Sequence, residues 1–299
     1  MFTSIFDDIK NAFHYGNKLI QLIVINVVVF LILNIIKLGF MLSGAGPEII
    51  STQFHLYVGK YIEMPLNFLN FIYLPYTIIT YQFVHYGLFH LFFNMLSLYW
   101  FGQILENVVG NSKTLSLYLF GGLSGAFISI ITFSILPNLD ANTSLIGASA
   151  GIAAIIVAAA TISPTAEVRL FIIGNVQIRY IALALILINL VSIPTFSNVG
   201  GSIAHLGGAL FGYIFIKQLQ NGNDFSKPLN RFLEWVTNLF SRKNKMKVVY
   251  SDLNTKKAPK RELSKQKELD IILDKISKSG YDSLSAAEKE FLFKYSNES

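Results

Sequence analysis

Six long runs of apolar residues, separated by polar or turn-rich stretches, occupy most of this 299-residue chain up to residue 220. A helix needs about 20 apolar residues to cross the hydrocarbon core of a bilayer, so each run predicts a membrane-spanning helix. The pattern therefore predicts an all-α polytopic membrane protein, built as a bundle of six transmembrane helices. The predicted spans cover residues 19–40, 86–107, 114–136, 147–162, 178–193 and 203–220.

Two of these segments have unusual lengths. Residues 41–85, between the first two spans, are too many for a plain connection and too apolar for a soluble loop, so we expect an ordered element lying partly in the membrane interface. The fourth run, residues 147–162, gives about 24 Å of helix against about 30 Å of hydrocarbon. A helix this short begins below the outer surface, where its free N–H groups must face protein or a water-filled cavity.

Composition agrees with a membrane-embedded body, because 53% of the residues are hydrophobic and only 14% are charged. From residue 217 onward the chain holds 17 of its 24 Lys and Arg and 11 of its 18 Asp and Glu, so the net charge of +6 belongs to this tail. We expect such a tail to meet membrane lipids rather than nucleic acid. The chain has no cysteine, which excludes disulfides, thiolate nucleophiles and Cys-ligated zinc.

Basic residues in the short loops orient the chain. The opposite side of the membrane from the basic tail has only Lys60, with Lys37 near a helix end. On the side of the tail lie Lys10, Lys18, Lys113, Arg169 and Arg179. The positive-inside rule then predicts that both termini are cytoplasmic, in an integral multi-pass protein of a bacterial inner or plasma membrane. The first run is too long for a signal-peptide core and is expected to remain as an anchor.

The tail predicts helices of its own. Residues 228–240 have apolar side chains at helical spacing, which fits either an amphipathic helix on the cytoplasmic leaflet or a plain extension of the last span. Residues 266–295 predict two short helices, the second starting at a capping box of Ser285 and Glu288. We expect this part to dock a cytoplasmic partner.

The predicted segments are 1–18, a cytoplasmic N-terminus; 19–220, the six-helix core with its loop 41–85; 221–265, a basic juxtamembrane linker; and 266–299, a small helical tail.

A serine within small residues opens the fourth span, in Gly147-Ala148-Ser149-Ala150-Gly151. Small neighbours let a backbone approach a substrate closely, and a serine hydroxyl becomes a nucleophile when a base lies beside it. Small residues in membrane helices more often serve helix packing, so taken alone this motif indicates packing.

His205 lies near the start of the sixth span, and Gly208, Ala209 and Gly212 follow it on the same helix face. Residues this small let a neighbouring helix come close, so the imidazole can reach a group on that neighbour. A titratable side chain inside a span is a functional candidate. The alternative is a structural histidine bonded to a carbonyl.

Three polar residues, His85, His90 and Asn94, lie at the outer end of the second span, with His90 and Asn94 on one face. Polar groups there are costly unless they have partners or a task. An imidazole and an amide directed at one point would suit an oxyanion. A metal site is the alternative, although no span offers a carboxylate on the outer side.

Together these motifs resemble the rhomboid family. The resemblance covers about residues 15–220, and its motifs fall in order on spans two, four and six. Its residues are the serine box Gly147-Ala148-Ser149, Ala204-His205 with Gly208 and Gly212, the group His85, His90 and Asn94, the pair Gly102 and Glu106, and Pro75-Tyr76-Thr77 in the first loop.

The resemblance implies an intramembrane serine endopeptidase that cuts single-pass transmembrane proteins near their outer ends. Ser149 would attack the scissile carbonyl, and His205 would act as base and then as acid. Asn94, His90 and the backbone N–H of Ser149 would hold the oxyanion. The fifth span would act as a lateral gate, and no metal or cofactor is expected. The implied supporting residues are His85, Gly147, Ala148, Gly208 and Gly212.

Three features depart from the family pattern. Ala150 replaces the usual glycine after the serine, which affects the backbone near the oxyanion. Ala153 replaces an aromatic that often packs on the histidine, which leaves the orientation of His205 to some other side chain. Tyr76-Thr77 replaces Trp-Arg in the first loop, where substrate preference or membrane depth would change.

Three other functions stay open at this point. A catalytically silent relative would bind membrane helices and deliver them elsewhere, although such relatives typically lack the serine or the histidine. A transporter would usually show internal repeats or a charged pathway, and neither is visible in the sequence. A lipid or thioester hydrolase would use the same dyad, and the sequence does not separate it from a protease.

Overall fold

The computed structural model of the chain describes residues 17–44, 46–136, 138–140, 142–170, 174–196, 198–240 and 260–297. The helices, in chain order, are α1 (Lys18–Leu42), α2 (Pro47–Phe54), α3 (Lys60–Ile62), α4 (Phe68–Tyr73), α5 (Thr77–Thr80), α6 (Leu88–Val109), α7 (Asn111–Ile135), α8 (Ser149–Ile162), α9 (Ile178–Ser192), α10 (Val199–Gln220), α11 (Lys227–Phe240), α12 (Lys260–Ser279) and α13 (Ala286–Asn297). The described residues also form two antiparallel pairs of short strands. Strand β1 (Met64–Pro65) pairs with β2 (Ser144–Leu145), and β3 (Glu167–Leu170) pairs with β4 (Gly174–Gln177).

Within the described ranges, five helices are long and apolar enough to cross a membrane: α1, α6, α7, α9 and α10. The sixth apolar helix is α8, with 14 residues. The protein is thus an all-α polytopic membrane protein, as the hydropathy pattern predicts. The last span begins at Val199, four residues before its predicted start, because Asn198 caps it by accepting a hydrogen bond from the N–H of Gly201 at 3.3 Å.

The short helix α8 lies at the centre of the bundle, and residues 150–159 are all buried. Small residues let its neighbours approach: a methyl group on Gly151 would overlap the carbonyl oxygen of Tyr118 on α7. A methyl group on Gly208 of α10 would overlap the carbonyl oxygen of Ala150. Lipid gives helices no hydrophobic reason to associate, so close packing of this kind holds the bundle together.

The first loop is an ordered element, as predicted. It contains α2 to α5, a π-helical turn at His55–Gly59 and a 3₁₀ turn at Tyr81–Phe83. Its strand β1 pairs with β2, so that Met64 lies opposite Leu145 and the loop is tied to the segment before α8. The depth of this loop in the membrane stays a prediction.

The helix after the last span is a separate element. The last span ends at Gln220, and α11 begins at Lys227 after a turn in which Gly222 has a φ of +86°. The alternative of a plain extension is therefore wrong. Phe232 and Trp235 are exposed on α11, and their rings are stacked with centroids 6.0 Å apart. Whether α11 lies on the leaflet stays a prediction.

The chain divides into two compact units between Thr237 and Asn238. In the second unit, α12 ends before Gly280, whose φ is +77°, and α13 follows the predicted capping box. There the N–H of Ser285 donates to Glu288 at 2.7 Å, and the N–H of Glu288 donates to the Ser285 hydroxyl at 3.3 Å. α12 begins at Lys260, earlier than the predicted residue 266. Residues 1–16 and 241–259, which include part of the predicted linker 221–265, lie outside the described residues, and the division into four segments stays a prediction.

Candidate active site

The turn before α8 sets the position of Ser149. Gly147 has a φ of +104°, which L side chains rarely adopt, and its N–H donates to the carbonyl oxygen of Tyr81 at 2.8 Å. Ala148 is the buried N-cap, and Ser149 is the first helical residue. The first N–H groups of a helix have no partner within it, and the helix dipole adds positive charge there. Ser149 therefore lies where a developing negative charge is favoured.

Ser149 and His205 form a hydrogen-bonded pair. His205 Nε2 lies 2.6 Å from Ser149 Oγ, although the two residues are 56 positions apart in the chain. The small residues predicted to bring the helices together do so, because Gly208 faces the backbone of Ala150 and Gly212 faces that of Ala154. The pair has the geometry in which a neutral imidazole accepts the proton of a serine hydroxyl.

The other ring nitrogen of His205 has a partner that the sequence analysis missed. His205 Nδ1 lies 2.8 Å from Oδ1 of Asn189, which is buried on α9. The signal in the sequence was an amide within a largely apolar span, a residue type that needs a partner in a membrane. Its connection to His205 depends on the packing of α9 against α10.

His90 and Asn94 lie beside the Ser149–His205 pair. Both line a cavity of about 400 Å³ that also contains Ser149 and His205. The remaining lining is mostly apolar and comes from α6, α8 and α9: Phe89, Phe93, Ser97, Ile152, Ala153, Ile156 and Leu185. The amide nitrogen of Asn94 donates to the carbonyl oxygen of His90 at 2.9 Å, which leaves its second hydrogen for another acceptor.

His85 supports the turn rather than lining the cavity. Its Nε2 accepts a hydrogen bond from the N–H of Ala148 at 3.3 Å, and its ring packs edge-on against His90 with centroids 4.9 Å apart. Burial, together with the nearby His90, lowers the pKa of His85 to about 4. His85 is therefore neutral at pH 7, so that its Nε2 can accept the hydrogen bond from the N–H of Ala148.

A buried carboxylate, Glu63, fastens the first loop to the segment before α8. Glu63 is 5% exposed and accepts hydrogen bonds from the hydroxyls of Tyr86 and Ser144, while His55 Nδ1 lies 3.3 Å away. Sequence reasoning did not single out this residue, since it lies in the loop and not on a span. Its partners assign it to positioning β2, which leads to the turn at Gly147.

A metal site was the alternative for the histidines. In the part of the chain that the structure describes, no three His, Cys, Asp or Glu side chains are grouped so that they could hold a metal ion.

Comparison with known proteins shows the family of this part of the chain. Residues 74–220 match the family described as the Rhomboid domain, and they include every site residue from His85 to Gly212. This part of the chain belongs to the rhomboid family. Rhomboids are a family of intramembrane proteases, and the family resemblance stated from the motifs is confirmed.

The chain is similar to the presenilin-associated rhomboid-like protein A, mitochondrial, of Danio rerio, with 28% identity over 137 residues. The match covers 45% of this chain and 35% of that protein, so the chain matches about a third of the relative's length. Residues 256–298, which include α12 and α13, match a second family, a family of unknown function called DUF6576.

Proposed function

We propose that this rhomboid is an intramembrane serine endopeptidase that cleaves transmembrane segments of other membrane proteins with a Ser149–His205 dyad. The observation that carries this proposal is the 2.6 Å hydrogen bond between Ser149 Oγ and His205 Nε2. The bonded pair lies in a cavity of about 400 Å³ between membrane-spanning helices. A base in contact with a serine, in a space that admits a substrate, is the arrangement that nucleophilic catalysis needs.

In the first step, Ser149 Oγ attacks the scissile carbonyl carbon, and its proton passes to His205 Nε2. The carbonyl oxygen becomes an oxyanion in the tetrahedral intermediate. The backbone N–H of Ser149 and the free hydrogen of the Asn94 amide would donate to this oxygen, with His90 beside them. The N-terminal end of α8 adds its positive potential at the same place.

When the intermediate collapses, His205 gives its proton to the leaving amine nitrogen, and an ester forms between the substrate and Ser149. Water then attacks this ester while His205 again takes a proton. The second collapse returns that proton to Ser149 and releases the new carboxyl end. Gly208 and Gly212 support these steps by keeping α10 close to α8.

The apolar lining of the cavity supports single-pass transmembrane proteins as the substrates. Phe93, Ile152 and Leu185 present hydrocarbon beside the dyad, which suits a membrane segment better than a charged peptide. Ala153, one of the departures from the family pattern, adds room for a substrate side chain.

Cleavage of a labelled transmembrane reporter in liposomes tests the proposal. We expect the wild type to cut the reporter, and Ser149→Ala and His205→Ala to lower kcat by at least about 10³-fold, because each removes one half of a cooperating pair. The matched control is Ser116→Ala, which removes a buried hydroxyl that donates to the carbonyl oxygen of Ser112 in its own helix.

Two outcomes would contradict the proposal. If wild type and Ser149→Ala bind several reporters equally and neither cuts them, the protein is a silent helix-binding relative. If the wild type hydrolyses a lipid or thioester faster than any reporter in direct competition, and this activity depends on Ser149, the dyad serves a different substrate class.

A further inference from the structure

The protein-facing side of α9 carries one polar residue near its C-terminal end. Ile178, Ala182 and Asn189 are the buried residues of this helix, and their spacing by four and seven puts them on one face. Most other side chains of α9 are exposed. An amide turned into a bundle within a membrane is costly unless both of its ends have partners.

Both ends of the Asn189 amide have partners. The nitrogen Nδ2 donates to the carbonyl oxygen of Leu185 at 2.8 Å, one turn earlier on the same helix. This bond fixes the orientation of the amide. If the amide were flipped, its oxygen Oδ1 would face the carbonyl oxygen of Leu185, and two acceptors would lie against each other. Oδ1 therefore faces His205 Nδ1, at 2.8 Å.

The orientation of Asn189 decides the tautomer of His205. An amide oxygen only accepts, so the ring proton of neutral His205 must be on Nδ1. Nε2 then carries the lone pair, and it is this nitrogen that lies 2.6 Å from Ser149 Oγ. The opposite tautomer would place two acceptors against each other at Asn189 and would leave no base facing the serine.

We propose that Asn189 is a positioning residue, which holds the imidazole of His205 in the tautomer and orientation that the base needs. This inference rests on the proposed function. Ala153, which takes the place of the aromatic residue expected to pack on the histidine, has a side chain too small to hold the ring. Asn189 supplies the restraint from the other side, by a hydrogen bond.

An amide also suits this position better than a carboxylate. An aspartate would accept the same hydrogen bond, but its charge would be costly between membrane-spanning helices. Asparagine gives direction without charge. Because Asn189 comes from α9 while Ser149 and His205 come from α8 and α10, a shift of α9 by about 1 Å would already break the bond.

The experiment compares steady-state cleavage in liposomes by the wild type, Asn189→Leu and Asn189→Asp. We expect Asn189→Leu to lower kcat by about 10²-fold while KM changes less than about twofold, since the base is misdirected but the cavity is intact. Asn189→Asp keeps an acceptor oxygen and should recover at least about tenfold of the lost kcat. The matched control, Ser192→Ala, removes a hydroxyl of the same helix that donates to the carbonyl oxygen of Ile188, and should match the wild type.

A spectroscopic measurement separates positioning from a merely structural role. Nitrogen chemical shifts of labelled His205, read in the Ser149→Ala background, report which ring nitrogen carries the proton. We expect the Nδ1–H form with Asn189 present and a mixture of tautomers in Asn189→Leu. Asn189→Gln, which keeps the amide but moves its oxygen by one methylene, gives the same comparison if the leucine variant does not fold.

The outcomes distinguish this inference from the proposed function. If Asn189→Leu cleaves like the wild type, or if the tautomer is the same in every variant, Asn189 does not position His205. If the wild type itself cuts nothing, the proposed function fails, whereas the tautomer measurement still decides the role of Asn189.

Discussion

Gly208 shows at the scale of a single residue how the dyad is assembled. Its missing side chain leaves room for the carbonyl oxygen of Ala150. Gly208 lies one turn after His205, and Ala150 follows Ser149 directly, so this contact brings the two helices together beside the dyad. A backbone oxygen cannot move aside as a flexible side chain can, so the space at Gly208 is required.

Gly208→Ala should therefore destabilise the bundle and lower activity. The added methyl group overlaps the Ala150 carbonyl, and forcing α10 away from α8 costs about 1–3 kcal/mol, as overpacking usually does. It also lengthens the Ser149–His205 hydrogen bond. Thermal unfolding in detergent and reporter cleavage measure the two effects.

Gly39→Ala is the control for this substitution. Gly39 also lies in a membrane-spanning helix, but a methyl group there would meet nothing within 4 Å. We expect this variant to unfold at the wild-type temperature or above, because alanine favours helix. Equal effects of the two substitutions would show that packing at Gly208 is not limiting.

The role of Asn189 could not be recognised from the residues around it in the sequence. Ser149 and His205 were recognisable because each is embedded in a characteristic run of small residues. The amide of Asn189 has no such run around it, and its task depends on which face α9 turns towards α10. A pattern of hydrophobic residues predicts an inner face but not the atom that this face meets.

At the scale of elements, α11 is an amphipathic helix beside the membrane domain. Leu229 and Leu233 are partly buried on one side, whereas Arg231 and Glu234 are exposed on the other. The apolar Phe232 and Trp235 are more than half exposed, at 57% and 59%. Exposed aromatic rings on an amphipathic helix are typical of helices that lie in a membrane interface.

Trp235 provides a measurement of this location. In the full chain with Trp100→Phe, Trp235 is the single tryptophan, because the protein has two. In liposomes containing anionic lipid we expect its emission to be blue-shifted and to be quenched by brominated lipids, since the ring would lie at the headgroup boundary.

The contradictory result would be emission as in water, together with efficient quenching by aqueous iodide. Arg231→Gln is the companion variant, because it removes a basic charge from the polar side and leaves the apolar side unchanged. We expect this variant to lose its quenching by brominated lipids at a lower salt concentration than the protein with Arg231 does.

In the second unit, Glu288 holds the start of α13. Its carboxylate accepts hydrogen bonds from Lys275 at 2.9 Å and from the N–H of Ser285 at 2.7 Å. These contacts, with that of Lys275 the largest, lower the pKa of Glu288 from 4.5 to about 2. A carboxylate whose pKa is lower in the folded state than in the unfolded state stabilises the folded state at pH values above its unfolded pKa. This stabilisation is lost as the pH falls towards 2.

Glu288→Gln should therefore speed hydrogen exchange at the start of α13 several-fold at pH 7, relative to the middle of α12. The difference from the wild type should close as the pH is lowered from about 4.5 towards 2, because the wild-type carboxylate is then protonated as well. Glu290→Gln, an exposed carboxylate on the same helix, is the control and should exchange as the wild type does. A difference that persists at pH 2 would contradict this assignment.

At the scale of the whole molecule, helix order and length follow from hydropathy because the bilayer imposes a simple requirement. Each spanning segment must be apolar and must satisfy its own backbone hydrogen bonds, so the number of spans is readable from the chain. The same requirement predicts that α8 begins within the bilayer, since its 14 residues are too few to cross the bilayer completely.

The sequence by itself determined the class of the protein and its six apolar helices, and it made Ser149, His205, His90 and Asn94 candidates, which the structure places around one cavity. These follow from local patterns, in which small and polar residues stand out against an apolar background. The tertiary structure alone decided the partner of His205 Nδ1, the role of Glu63 and the break between α10 and α11. Each of those depends on contacts between segments far apart in the chain or on a backbone turn, and the periodicity of a single segment contains no information about them.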